Sequence, residues 1–148
     1  MNFGSSFGIS ASALTAQRLR MDVISSNIAN AETTRASVVD GKAVPYRRKL
    51  VVLEAAQSNN FADILNSKMN GGTQGVKVQA ITEDTSPLKP VYNPSHPDAD
   101  QNGYVYMPNV DITKEMVDML SVSRSYDANV TMLNASKAMV TKALEIGR

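Results

Sequence analysis

The chain has 148 residues, with 15 basic against 14 acidic side chains, a formal net charge of +1 and no cysteine. So balanced a charge gives nucleic acid or anionic lipid little long-range attraction to work with. The missing cysteines remove disulfide frameworks, thiolate metal sites and cysteine nucleophiles together.

The amino terminus, MNFGSSFGIS, has neither a basic segment nor a continuous apolar run, and no later stretch is apolar over the length a membrane span needs. Membrane insertion is not expected, and the chain should either stay in the cytoplasm or leave by a route that uses no cleaved signal. From about 9 to 31 the spacing predicts a helix. Leu14, Met21 and Ile28 recur every seven residues, and Ile9, Ala16 and Val23 form a second row. Read alone, this is an ordinary amphipathic helix. Its last turns contain SSNIANAETT, where Asn27 and Asn30 are poor helix-interior residues that share a face one turn apart. Amides both donate and accept, so this pair suits contact with the backbone of a neighbouring chain.

All six prolines fall between Val44 and Asn109, which leaves both flanks free to be long helices and the middle not. VPYRRKLVVLE (44–54) and GVKVQAI (75–81) read as strands, the second alternating Val76, Val78 and Ala80. The basic run Arg47, Arg48, Lys49 reads as a solvated strand face. Between the strands a helical turn is expected around Phe61, Ile64 and Leu65. Farther on, Asp98, Asp100, Asn102 and Gly103 match the first half of a calcium loop. Asn109 stands where the bidentate glutamate is needed, and prolines occupy the place of the entering helix. Tight turns are the better reading, with a positive φ at Gly103 and His96 as a turn residue.

In the carboxy-terminal flank Ile112, Met119, Tyr126, Leu133 and Val140 recur at a spacing of seven. Met116, Val130 and Leu144 lie on an adjoining seam that Ser123 and Lys137 interrupt, which predicts a long packed helix from about 112 to 145. Two such helices at opposite ends of the chain can pair antiparallel, with the middle as an insert. The expected fold is mainly α: residues 1–36 and 109–148 form a helical coiled-coil domain, and 37–108 a small β-rich one.

The outer positions of both helices are unusual. Between Ile9 and Ala31 the only charges are Arg18, Arg20 and Asp22, and between Met119 and Ser136 only Arg124 and Asp127. A coiled coil standing alone in water carries more. The chain offers no other helix of that length to cover them, so the cover is expected from other chains, with the monomer's helices marginally stable until packed. No catalytic constellation surrounds His96, the only histidine, and Glu83 and Asp84 are merely adjacent acids. No enzyme activity, cofactor, metal or small-molecule substrate is expected. A cytoplasmic coiled-coil adaptor and a weak calcium module are the competing readings.

Three stretches carry a family resemblance: SSNIANAETTRA (25–36), YNPSHPDADQNGYV (92–105) and MPNVDITKEMVDMLSVSRSYDANV (107–130). Together they resemble the bacterial flagellar basal-body rod proteins, most closely the proximal rod type; Arg35 and Ala36 speak against the hook and distal-rod types. The resemblance implies an elongated subunit of the rod that transmits torque and leaves an export channel open. Its partners would be copies of itself, other rod subunits and the flagellar type III export apparatus. It further implies that Asn27, Ile28, Ala29, Asn30 and Thr33 lie at subunit contacts. Arg124, Tyr126, Asp127, Ala128 and Asn129 would sit where the second helix meets its partners, with Arg124 and Asp127 paired to polar groups of other subunits. Leu14, Met21, Ile112, Met119, Leu133 and Val140 complete the expected assembly interface.

Overall fold

The computed structural model describes residues 3–39, 42–56, 65 and 74–146. Two long helices, α1 (Phe3–Ala29) and α2 (Ile112–Ile146), bracket six strands. The strands form three separate two-stranded antiparallel ladders rather than one sheet. These are β1 (Ser37–Val39) with β2 (Lys42–Val44), β3 (Lys49–Ala55) with β4 (Val76–Glu83), and β5 (Lys89–Tyr92) with β6 (Tyr104–Met107). The helical turn expected around Phe61, Ile64 and Leu65 lies outside the described residues, Leu65 excepted.

The two helices make the most extensive contact in the fold, and β3 and β4 also pack on α1. The hairpin is tied to α1 at both ends. At one end Val76 N donates to Ser12 Oγ at 3.1 Å, and Ser12 donates in turn to Ile9 O at 2.7 Å. A Cβ at Gly75 would lie 2.6 Å from Ser12 Oγ, so only glycine lets the strand come this close. At the other end Asn27 holds both backbone groups of Lys49. Ser12 and Asn27 are separated by about 22 Å of helix, and Lys49 and Ala55 by about 20 Å of strand. The hairpin therefore runs along the helix rather than standing away from it.

Asn27 is the junction of the fold. It is fully buried, and all four of its hydrogen-bonding positions are filled. Its Oδ1 accepts from Tyr46 Oη and Lys49 N, each at 2.9 Å. Its Nδ2 donates to Lys49 O at 2.9 Å and to Glu115 Oε2 at 3.0 Å. Glu115, only 1% exposed, receives the Arg48 guanidinium on its other oxygen, from Nε at 2.7 Å and Nη2 at 2.6 Å. Arg48 N donates to Asn109 Oδ1 at 3.0 Å. One network thus joins α1, the approach to β3 and the first turn of α2. Asn27 is therefore interior to its own chain and not available to a neighbour's backbone. Arg48 likewise leaves the solvated strand face expected of the basic run, because a buried glutamate requires a cation.

The helix ends follow from their capping residues. Asp111 Oδ1 accepts from Thr113 N at 3.0 Å and Lys114 N at 3.3 Å, a side-chain cap on free amides at the start of α2. Asn30 lies one residue beyond α1 and closes it, with Nδ2 donating to Ser26 O at 2.9 Å and Oδ1 accepting from Thr33 Oγ1 at 3.3 Å. A second tie joins the segment after α1 to the β5–β6 turn. Thr34 Oγ1 donates to Asp98 Oδ2 at 3.0 Å, and the Arg35 guanidinium pairs with Oδ1. Both Asp98 oxygens are thus engaged within the chain, and strand β5 rather than a helix precedes the turn. Gly103 has φ 79°, as the turn requires, and a Cβ there would meet Tyr92 Cε2 at 3.0 Å. His96 is a turn residue whose Nδ1 accepts from Asp98 N at 3.1 Å.

Two outcomes are expected. Asn27→Asp keeps the shape but replaces a donor with a second carboxylate facing Glu115, and should lower the unfolding free energy by about 3 kcal/mol. Urea midpoints at unchanged slope measure this; Asn30→Ala, which loses a partly exposed cap, should cost under about 1 kcal/mol. The Arg35 guanidinium, and next the Thr34 hydroxyl, hold the Asp98 carboxyl below its ordinary range. Its stabilisation is therefore present above the unfolded carboxylate pKa of about 3.9 and is lost as pH falls through the folded value. Asp98→Asn should be less stable than wild type at pH 7, and the gap should close on acidification; a gap that persists unchanged in acid would contradict this role.

Candidate assembly surface

The inward side of α2 is a regular heptad, but not the one that apolar residues alone predict. Glu115, Val122 and Ser136 are buried and Asn129 is half-buried, while Met119, Tyr126, Leu133 and Val140 form a half-buried row one turn over. The alternating three- and four-residue steps along 115, 119, 122, 126, 129, 133, 136 and 140 are those of a coiled-coil seam. The expected second row of Met116, Val130 and Leu144 is displaced by one that is mostly polar. Polar groups hold these seam positions because they find partners: Glu115 binds Asn27 and Arg48, and Asn129 Nδ2 donates to Ser125 O at 2.8 Å.

Of that row Met116 and Leu144 are exposed and Val130 is half-buried, and other large apolar side chains of α2 are exposed as well. Met116 is 60% exposed, Leu120 55%, Met132 61% and Leu144 71%. Val117 and Met139 join them, as does Ile112 at the start of the helix. The chain exposes 10522 Å², against about 7,400 Å² for a compact monomer of its mass. That surplus fits a chain whose longest helix leaves several large apolar side chains uncovered. Large apolar side chains left uncovered in this number along one helix are characteristic of a surface that another protein covers.

The other expected interface residues take varied places. On α1, Ala16, Val23 and Ile24 are buried, Leu14, Met21 and Ile28 are half-buried, and Ala29 is exposed. Asn30 and Thr33 are half-buried in the α1 cap. On α2, Arg124, Asp127 and Ala128 are exposed. Neither Arg124 nor Asp127 forms an ion pair among the described residues, nor do Arg18 and Asp22 on the exposed side of α1. The structure thus gathers Asn27, Asn30 and Thr33 at one end of α1 and leaves Arg124 and Asp127 on open surface. Sequence reasoning missed Glu115, Arg48 and Tyr46. The one available signal was an acid recurring in heptad phase with Val122, Asn129 and Ser136.

A family model described as flagella basal body rod protein matches residues 7–36. A second, described as flagellar basal body rod FlgEFG protein C-terminal, matches residues 101–146. These spans correspond closely to the two helices and the strand that leads into α2. The flagellar basal-body rod protein FlgC of Bacillus subtilis (strain 168) is 58% identical over 146 residues, covering 97% of each chain. That of Borreliella burgdorferi is 46% identical over 156 residues, covering 99% of this chain and 98% of its own. That of Escherichia coli O6:H1 is 45% identical over 142 residues and 96% of each. Similarity of this extent runs through helices, hairpin and turns alike, and the chain belongs to the FlgC family of bacterial flagellar basal-body rod proteins.

Proposed function

We propose that this protein is a structural subunit of the proximal rod of the flagellar basal body and works by packing rather than by chemistry. The observation that carries this reading is the uncovered apolar side of α2 in a chain similar to rod proteins over nearly its whole length. Copies of the chain and other rod subunits cover that side. The resulting array conveys motor torque and encloses a channel for export. Residues 1–36 and 109–148 form its helical inner part and 37–108 its outer part.

The terminal helices pair as an antiparallel coiled coil. The bond from Asn27, near the end of α1, to Glu115, in the first turn of α2, supports that direction, as does the heptad seam. Leu14, Met21, Ile28, Met119, Tyr126, Leu133 and Val140 serve this pairing and the contacts at its margin. Ile112, Arg124 and Asp127 serve contacts between subunits. No helix among the described residues is long and apolar enough to cross a membrane, and the subunit reaches the basal body through the flagellar type III export apparatus.

Leu120→Asp tests the reading. Leu120 is 55% exposed in the single chain, so the charge should leave helix content and stability within about 0.5 kcal/mol of wild type. In cells lacking their own copy, the variant should still be exported. Its amount in purified basal bodies should fall at least about tenfold, because a carboxylate would be buried without a partner. Normal incorporation and swimming would count against the assembly role of this face.

A further inference from the structure

Arg18 and Asp22 on α1 and Arg124 and Asp127 on α2 form no ion pair among the described residues, and their order specifies a way for two copies to meet. Arg124 and Asp127 lie at mid-length on the outward side of α2, between Leu120 on one flank and Met132 and Met139 on the other. Arg18 and Asp22 lie on the exposed side of α1, in a stripe otherwise built of small residues such as Thr15, Ser25 and Ala29. An apolar helix face with large side chains fits best against a face that lets it approach closely, and α1 offers one.

Resting on the rod-subunit reading, we infer that the outward side of α2 docks antiparallel onto the exposed side of α1 of a second copy, pairing Arg124 with that copy's Asp22 and Asp127 with its Arg18. Direction follows from charge. With the helices antiparallel, the order Arg18 then Asp22 meets Asp127 then Arg124, and both pairs are opposite in sign. With the helices parallel, arginine faces arginine and aspartate faces aspartate, which an interface cannot hold. The spacings also agree: the α1 pair is separated by about 6 Å along its axis and the α2 pair by about 4.5 Å, a difference the arginine side chains absorb. Because different faces of the two copies meet, one copy keeps its α1 face free and the other its α2 face. Such a contact can be repeated from copy to copy instead of closing as a two-fold dimer.

The test uses four chains expressed in cells without their own copy: wild type, Arg18→Asp with Asp22→Arg, Arg124→Asp with Asp127→Arg, and all four together. The amount in purified basal bodies is read by immunoblot, and circular dichroism checks the helices. Each double swap should lower incorporation about tenfold or more, and the quadruple swap should restore it to within about twofold. Normal incorporation of the α2 double swap would overturn the proposal in favour of a two-fold contact between α2 helices, where the same swap stays complementary. A quadruple swap as poor as the doubles would overturn it as well. Absence of the wild-type chain from basal bodies would instead remove the rod-subunit reading itself. Because the chain has no cysteine, a second measurement holds even if a swap unfolds. Arg18→Cys with Asp127→Cys in one chain should give an oxidised ladder of dimers, trimers and longer species in basal bodies, and each single cysteine should give none; no ladder refutes the contact.

Discussion

One buried amide holds the fold together. Asn27 has two donors and two acceptor positions, and four groups from three residues, Tyr46, Lys49 and Glu115, fill them. A side chain so placed is costly to leave unsatisfied, so it specifies the position of each partner. Through Lys49 it sets where the β3–β4 hairpin meets α1. Through Glu115 it sets where α2 begins, and through Glu115 it also draws Arg48 inward. A carboxylate, a guanidinium and an amide cannot be exchanged along a smooth apolar seam without losing partners. The network therefore fixes the register of the two helices more sharply than leucine contacts would.

That register decides which residues remain outside. With Glu115, Val122, Asn129 and Ser136 turned toward the interior, Met116, Leu120, Met132 and Leu144 are turned to solvent. The arrangement sacrifices apolar burial in the single chain and keeps it for contacts between chains. It also agrees with a rod subunit, since side chains that would be a liability in a monomer can be covered by neighbouring subunits. The hairpin adds a second constraint. Held at Ser12 and Asn27, it covers one side of α1 and leaves another side of small residues open.

Much of this was legible in the sequence. Proline placement and seven-residue spacing put the helices at the two ends, and α2 at Ile112–Ile146 lies within a residue or so of its expected span. The strand at Val76–Glu83 follows its alternation, and the glycine turn at Gly103 follows its need for a positive φ. The scarcity of charge on the outer helical positions pointed to partners. The seam was harder to read, because a search by apolar residues selects Met116 and Leu144 and passes over Glu115, Asn129 and Ser136. Hydropathy cannot distinguish a polar residue that faces water from one that is buried with its bonds satisfied.

By itself, then, the sequence determined the helical ends and the strand-containing middle, because periodicity and proline act locally and can be read along the chain. Only the tertiary structure decided that Asn27 faces inward and that Arg48, unlike the exposed Lys49, leaves the basic run to neutralise a buried glutamate 67 residues away. Such pairings join residues with no local relationship, and a hydrogen bond or an ion pair is specified by where two groups meet in space, which spacing along the chain does not encode.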